Sequence, residues 1–267
     1  MTRGSGFALS PCLEWIFAEH EQLQDRFADA AAHGFSFGEF WYWRGRDIDE
    51  VHKSLNRNSI SVSALVVDPQ ADIASPETHT AWLSAVEDSA AVASRLSCGI
   101  LVATAGNRLP SGADDDEQLQ TVKAALSEAA AIADRHGIRV AIEPLNDRVD
   151  HPGTLLTSSL TAGRLVDEIG SSALGILLDI YHSHVMGEEV VEVIKALGPR
   201  ICHVQVADDP GRHEPGTGTI CWPGVLTALD AAGYDGPVGL EYKPTMPSAE
   251  SASFAAWSLA DTWPGKT

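Results

Sequence analysis

The sequence is poor in positive charge. Its 18 lysines and arginines stand against 37 aspartates and glutamates, which gives a formal net charge of −19. A chain this acidic repels phosphate backbones, so we expect it to bind neither nucleic acid nor anionic membranes. The acidity does not exclude a cation site, because clustered carboxylates are what a hard metal ion needs.

Cysteines and long apolar runs are also scarce. The 4 cysteines in 267 residues are too few for a disulfide framework, and no two of them form a CxxC pair. Reduced, mostly buried thiols suit a cytoplasmic protein, which is the location we expect. No apolar run approaches the roughly 20 residues of a membrane span. The first apolar stretch is broken by Pro11 and Glu14, so a secretory signal is not predicted.

What is present is a globular composition with 44% hydrophobic and 21% charged residues. Short, mostly apolar runs recur along the whole chain and indicate strands that are covered on both faces. The predicted strands span 7–10, 35–40, 60–67, 99–103, 138–143, 174–179, 200–206 and 238–242.

Amphipathic stretches separate these runs and predict helices. The clearest spans 114–136, where apolar residues recur at helical spacing before His136 and Gly137. Asp47 and Glu50 predict a capping box for a helix that runs to about residue 58. The other predicted helices span 21–33, 79–97, 157–170, 187–197, 223–233 and 248–260.

Alternating strands and helices imply a parallel sheet with right-handed crossovers. Eight such units in 267 residues, near the roughly 250 that are typical, predict an α/β protein with one (β/α)8 TIM barrel domain over 1–267. An open doubly wound sheet is the alternative. No GxGxxG follows the first strand, so the dinucleotide-binding version lacks its signature.

Polar residues near the ends of consecutive strands form the candidate site, because barrels of this kind build their sites there. Glu143 ends the fifth predicted strand and Asp179 the sixth, and Glu241 lies in the eighth. Gln205 and His203 share one face of the seventh strand, and we prefer Gln205 because it is nearer the carboxyl end.

Three carboxylates held this close would repel one another unless a cation lay among them. Oxygen ligands without thiolates suit Mg²⁺, Mn²⁺ or a similar divalent ion. Each acid taken alone would more often be a solvated strand end or a helix cap. Four oxygen-bearing side chains at consecutive strand ends favour the metal site.

Motifs in the second half of the chain carry a family resemblance. They are 142–146 (IEPLN), 178–182 (LDIYH), 203–208 (HVQVAD), 210–218 (PGRHEPGTG) and 239–242 (GLEY). With these motifs the chain resembles the hydroxypyruvate isomerase family, in the xylose isomerase-like superfamily of divalent-metal sugar isomerases and epimerases. The resemblance spans nearly the whole chain and is densest from 138 to 244.

The resemblance implies roles for particular residues. The positions that match metal ligands are Glu143, Asp179, Gln205 and Glu241. Glu143 and Glu241 also match the proton-transferring pair. His182 and Arg212 match substrate contacts, and Glu214 lies in the same motif as Arg212 and is grouped with them. The implied cofactor is one divalent ion, Mg²⁺ or Mn²⁺, with Co²⁺ as an alternative, and the implied partners are a small-molecule substrate and further copies of the chain in a homo-oligomer.

The implied reaction is a 1,2-isomerisation of a small hydroxycarbonyl compound, such as hydroxypyruvate to tartronate semialdehyde. The metal would polarise the carbonyl, and Glu143 or Glu241 would move a proton between adjacent carbons through an enediolate. A ketose 3-epimerase, a catalytically silent metabolite-binding barrel and an apurinic-site endonuclease are the alternatives. The negative charge and the lack of a His-rich set of zinc ligands count against the endonuclease.

The sequence departs from the family pattern beside the predicted site, at Ser183 and His184 and at the aromatic segment 41–43 (WYW). By alternation Trp41 and Trp43 would share one face and form a stacking wall in the pocket, although barrel filling is the alternative. We therefore expect hydroxypyruvate to be a poorer substrate than a sugar-sized or acid-sugar compound. Replacement of Trp43 by alanine would then weaken substrate binding several-fold.

Overall fold

A computed structural model of the chain describes residues 6–110 and 114–261. Residues 1–5, in the amino-terminal stretch considered for a signal, lie outside these ranges, as do 111–113 and 262–267. In the described ranges the sheet has eight strands, one for each predicted run. They are β1 (Leu9–Pro11), β2 (Phe37–Phe40), β3 (Ser61–Val66), β4 (Ile100–Thr104), β5 (Arg139–Glu143), β6 (Leu174–Asp179), β7 (Ile201–Val206) and β8 (Val238–Leu240).

Helices follow the strands at the predicted places. They are α1 (Leu23–Ala32), α2 (Ile48–Asn58), α3 (His79–Arg95), α4 (Asp115–His136), α5 (Ser159–Ile169), α6 (Ile180–Val185), α7 (Val190–Leu197), α8 (Trp222–Ala231) and α9 (Ser248–Asp261). Asp47 caps α2, because its side chain accepts hydrogen bonds from the backbone N–H groups of Asp49 and Glu50. Gly137 ends α4 in the left-handed conformation that glycine adopts without strain.

One helix was not predicted, because α6 begins directly where β6 ends. Asp179 Oδ1 accepts hydrogen bonds from the backbone N–H groups of Tyr181 at 2.8 Å and His182 at 3.4 Å. The last residue of the strand thereby caps the helix, so no loop is needed between them. The helix predicted over 187–197 begins later, at Val190.

The sheet closes almost completely into a barrel. Its strand order is β1-β8-β7-β6-β5-β4-β3-β2, and all neighbours are parallel. The remaining seam, between β1 and β2, is joined by a bridge between Cys12 and Glu39, where Leu13 N donates to Glu39 O at 2.8 Å. The predicted TIM barrel is therefore confirmed, and the open doubly wound sheet is not what the chain forms.

The strand register sets the carboxyl ends at matching heights. Gln205 in β7 pairs with Asp179 in β6 on one side and with Gly239 in β8 on the other. Glu143 pairs with Thr104 across β4 and β5. Because parallel strands carry their carboxyl ends to one rim, this register gathers the predicted polar side chains at that rim.

Apolar side chains fill both sides of the sheet. The larger cluster lies between strands and helices and includes Phe27, Trp82 and Leu126. A second cluster inside the barrel comprises Ala64, Val66, Val102, Ala141 and Leu177. Among the described residues, none of the helices combines the length and the apolar character that crossing a bilayer requires.

Candidate active site

A cavity of about 600 Å³ opens among the carboxyl ends of the strands. The predicted site residues that line it are Trp41, Glu143, His182, Gln205, Arg212 and Glu241. Asp179 lies next to them, with Oδ2 3.5 Å from His182 Nε2 and 3.4 Å from Arg212 Nη2. The structure thus brings the four predicted metal ligands into one region of the barrel.

Arg212 places positive charge among the acids. Its Nη2 lies 2.5 Å from Glu241 Oε2 and 3.4 Å from Asp179 Oδ2, and its Nη1 lies 3.7 Å from Asp150 Oδ1. Burial alone would lower the pKa of Arg212, but the surrounding carboxylates outweigh it and raise the pKa. The guanidinium therefore stays charged and acts as a counterion inside the site.

The loop 209–218 between β7 and α8 presents Arg212. Asp208, which directly precedes the loop, accepts hydrogen bonds from Gly216 N at 2.7 Å and Trp222 Nε1 at 2.9 Å. Lys243 N donates to Arg212 O at 2.7 Å, which ties the loop to the segment after β8. These bonds hold the Arg212 backbone close to Glu241.

The acids of the site have raised pKa values. Burial raises the pKa of Glu143 well above its ordinary range, and the charges of Glu241 and Asp179 add to the effect. Burial raises the pKa of Glu241 to about 7, although Arg212 opposes the change. Burial also raises the pKa of Asp179, against the influence of Arg212. One guanidinium therefore does not balance three carboxylates, and a divalent cation would stabilise their ionised forms.

The oxygen donors of the site fit such a cation. Carboxylate oxygens of Glu143 and Asp179 lie within 4.8 Å of each other. Gln205 Oε1 is buried and has no hydrogen-bond partner among the described residues, so it is a free oxygen donor. His203, the competing ligand in the same strand, is instead bonded through Nε2 to Glu39 Oε2 at 2.7 Å. Carboxylate and amide oxygens are donors that Mg²⁺ and Mn²⁺ accept.

His182 is oriented as a hydrogen-bond donor. The side-chain oxygen of Asn146, Oδ1, accepts hydrogen bonds from two backbone N–H groups. Its Nδ2 therefore donates, to His182 Nδ1 at 2.6 Å and to Asp150. The imidazole therefore carries its proton on Nε2. Burial lowers the pKa of His182 well below its usual range, so the ring is neutral at pH 7. Because His182 Nε2 has no hydrogen-bond partner among the residues described, it is available to a substrate oxygen.

The aromatic segment after β2 departs from the expected alternation. Trp41 lines the cavity, and its Nε1 donates to Glu241 Oε1 at 2.8 Å. Trp43 turns away from the cavity, because its Nε1 donates to Ser89 Oγ of α3 at 2.9 Å. The strand ends at Phe40, so strand alternation no longer applies at 41–43. The prediction that Trp41 and Trp43 share one face in the pocket is therefore wrong. Tyr42 lines the cavity, and Trp43 does not.

Glu214 also lies away from the cavity. It is fully buried and accepts hydrogen bonds from Thr245 N at 2.8 Å and Ser251 Oγ at 2.7 Å. The side chain joins the loop 209–218 to α9, so it supports Arg212 from behind rather than contacting a ligand. The grouping of Glu214 with the substrate contacts is corrected by this geometry.

Other polar residues of the site were not singled out from the sequence. Glu39, near the end of β2, is 2% exposed and contacts Gln205. Asp150 accepts from Tyr181 Oη at 2.7 Å and faces Arg212. An acid within an apolar strand is the same signal that indicated Glu143, and it would have found Glu39 as well. Asp150 lies in a loop and carries no such signal.

Comparisons with known proteins agree with the fold and the motifs. Residues 27–257 match the xylose isomerase-like TIM barrel family. The chain is 32% identical to the hydroxypyruvate isomerase of Escherichia coli, over 87% of this chain and 92% of that protein. It is 31% identical to the 2-oxo-tetronate isomerase of Cupriavidus necator, over 87% of this chain and 91% of that protein.

A solved structure gives the same result for the fold. The crystal structure described as AP endonuclease, family 2, from Brucella melitensis superposes with a TM-score of 0.87 and 27% sequence identity. The superposition covers 94% of this chain and 98% of that one. The match over 27–257 and the two relatives show that the chain is an isomerase. It belongs to the hydroxypyruvate isomerase family, within the xylose isomerase-like TIM barrel family.

Proposed function

We propose that the protein catalyses a metal-dependent 1,2-isomerisation of a short 2-oxo acid that carries a hydroxyl group next to its carbonyl. One observation carries this proposal: Glu143, which ends β5, and Glu241, which follows β8, face the same cavity as the unpartnered oxygen of Gln205. Two carboxylates beside a cation site are the groups that a proton transfer between adjacent carbons requires. The substrate names of the two relatives, hydroxypyruvate and 2-oxo-tetronate, belong to this class of compound.

The divalent ion, Mg²⁺, Mn²⁺ or Co²⁺, would be held by Glu143, Asp179, Gln205 and Glu241. When bound, it would polarise the substrate carbonyl and offset the repulsion among the carboxylates. The absence of thiolates from this donor set and the free Gln205 oxygen support an ion that prefers oxygen.

The two glutamates would move the proton. One removes a C–H proton from the hydroxyl-bearing carbon, and a proton is delivered to the former carbonyl carbon, while the hydroxyl proton passes to the neighbouring oxygen. His182 Nε2 would donate a hydrogen bond to one of these oxygens, because it is protonated and points into the cavity. The carbonyl and hydroxyl groups thus exchange positions, and the substrate gains or loses no atoms or electrons.

The cations of the cavity support an acid as the substrate. Among the described lining residues, Arg212 and Lys243 carry positive charge. Lys243 Nζ is 3.7 Å from Asp150 Oδ1, beyond a direct hydrogen bond, and its side chain is 55% exposed. The exposed ammonium group can therefore approach a substrate carboxylate, which a neutral ketose lacks.

The size of the cavity favours a substrate larger than hydroxypyruvate. Trp15, Trp41 and Tyr42 line a space of about 600 Å³, which exceeds what a three-carbon acid fills. We expect a four-carbon or larger acid sugar to have a higher kcat/KM than hydroxypyruvate. Hydroxypyruvate turnover near the diffusional ceiling, about 10⁸ M⁻¹s⁻¹, would contradict this expectation.

Proton exchange tests the proposed function. The purified protein is incubated in D₂O with hydroxypyruvate, 2-oxo-tetronate or a ketose, with Mn²⁺ or with a chelator, and NMR identifies deuterium and product. We expect exchange and isomerised product with a 2-oxo acid, and no exchange after chelation. Exchange at C3 of ketoses alone would instead indicate an epimerase, and neither exchange nor product with any compound would indicate a binding protein.

A further inference from the structure

We propose that Glu39 is a positioning residue that orients the carboxamide of Gln205, so that the Gln205 carbonyl oxygen faces the cation site. The inference rests on the proposed metal-dependent function. Glu39 lies near the end of β2, across the seam of the barrel, and it is 2% exposed. A carboxylate buried this deeply requires hydrogen-bond donors, and one of them is the side chain of Gln205.

The neighbours of Gln205 permit one orientation of its carboxamide. Gln205 Nε2 lies 2.7 Å from Glu39 Oε1 and 3.2 Å from Glu241 Oε1. An ionised carboxylate only accepts hydrogen bonds, so Glu39, the nearer of the two, requires the NH₂ end of the amide on its side. The carbonyl oxygen then points away from both and has no partner among the described residues. A buried amide oxygen left in this state is suited to a cation.

Glu39 is itself held on three sides. Its Oε2 accepts from His203 Nε2 at 2.7 Å and from Ser63 Oγ at 3.3 Å. On the third side lies the backbone of β8, where a Cβ atom at Gly239 would be 2.6 Å from both carboxylate oxygens. Any larger residue at 239 would displace the carboxylate, so the glycine leaves the space that the Glu39 carboxylate needs to contact Gln205.

The substitution Glu39→Gln tests this role with little change of shape. Glutamine at this position offers an NH₂ group to Gln205, whose amide can then flip and turn its own NH₂ group toward the cation site. We expect Mn²⁺ to bind at least about tenfold more weakly than to the wild type, as measured by calorimetry on the full chain. Unchanged Mn²⁺ affinity in a folded Glu39→Gln protein would overturn the inference.

A second variant, at Gln205, distinguishes an effect of amide orientation from an effect of the Glu39 charge. In a Gln205→Ala protein there is no amide to orient, and no carboxylate is added beside Glu39 and Glu241. Adding Glu39→Gln to that background should lower the Mn²⁺ affinity by a clearly smaller factor than adding it to the wild type. An equal loss of affinity in both backgrounds would show that Glu39 acts through its charge, and the inference would be wrong.

The orientation is also measurable without metal. The side-chain NH₂ signal of Gln205 in a ¹H–¹⁵N NMR spectrum is identified by its absence from the Gln205→Ala protein. We expect this signal to exchange slowly with solvent in the wild type and faster in Glu39→Gln. Rapid exchange in the wild type overturns the inference even where Mn²⁺ binds or the variant does not fold. A protected signal in a protein that binds no Mn²⁺ supports the orientation and overturns the proposed function.

Discussion

The cavity is lined by acids that repel one another and by donor groups that hold those acids in place. Glu241 is one of the acids, and burial raises its pKa to about 7. Arg212 Nη2 and Trp41 Nε1 donate hydrogen bonds to its two oxygens. The acids could be found in the sequence because they interrupt apolar strands. Their partners could not, since Trp41 and Glu241 are 200 positions apart and meet only in the closed barrel.

Glu241→Gln should abolish turnover while some metal binding is retained. The amide keeps an oxygen donor but cannot accept a proton, and general acid–base groups contribute about 10²- to 10⁴-fold. We expect kcat to fall by at least about 10²-fold, with Mn²⁺ binding still detectable by calorimetry. Glu168→Gln, at an exposed ion pair with Lys123, is the control. Near-normal activity of the Glu241 variant would exclude this residue as the base.

Trp41→Phe should move the acidic limb of the pH–rate profile. The indole N–H donates to the ionised carboxylate of Glu241 and lowers its pKa, so its loss raises that pKa further. The limb that reports ionisation of Glu241 should therefore move to higher pH. Trp43→Phe, which loses the bond to Ser89, should lower the melting temperature and leave the profile and KM unchanged. A profile that moves equally in both variants would contradict this assignment.

Individual loops and helix N-termini determine where the functional groups point. The loop 209–218 carries Arg212 at a positive φ of 58°, a conformation that a non-glycine residue keeps only when its surroundings hold it. Asp208 supplies much of that support through backbone and indole donors. At β6, the capping of α6 by Asp179 joins a predicted metal ligand to a helix start, which the strand pattern alone did not reveal.

Asp208→Asn should loosen this loop. The substituted amide keeps one acceptor oxygen and places an NH₂ group against donors that need an acceptor, so buried N–H groups lose partners. We expect the free energy of unfolding to fall by about 1–3 kcal/mol and kcat/KM to fall with it. Asp209→Asn, at a partly exposed neighbour, is the matched control and should change both quantities less. Equal stability of the two variants in chemical denaturation would contradict the role of Asp208.

The whole molecule is an acidic barrel with its carboxylates concentrated where the strands converge. Its formal charge of −19 attracts cations to the surface, and the raised pKa values of the site mark where a cation would be most stabilising. The single domain over 1–267, the homo-oligomer, the cytoplasmic location and the lack of nucleic-acid binding stay predictions.

Metal affinity should increase with pH. Burial raises the pKa of Glu241 to about 7, so protons compete with the ion for this carboxylate on the acid side of that pH, and burial raises the pKa values of Glu143 and Asp179 in the same direction. Below that pH we expect the affinity for Mn²⁺ to fall about tenfold per pH unit for each proton displaced. Calorimetry in buffers of different ionisation enthalpy measures the protons released. An affinity that is constant between about pH 5.5 and pH 8 would contradict a site built from these acids.

The local pattern of the sequence determined the barrel, its strands and the acids at their ends. Period and composition are local properties, and Glu143, Asp179 and Glu241 are conspicuous within apolar runs. Tertiary structure alone decided which residues face the cavity: it turned Trp43 toward α3, buried Glu214 behind its loop and brought Glu39 to Gln205. These outcomes depend on where strands stop, how loops fold and how the sheet closes, because each contact joins segments that are distant in the chain.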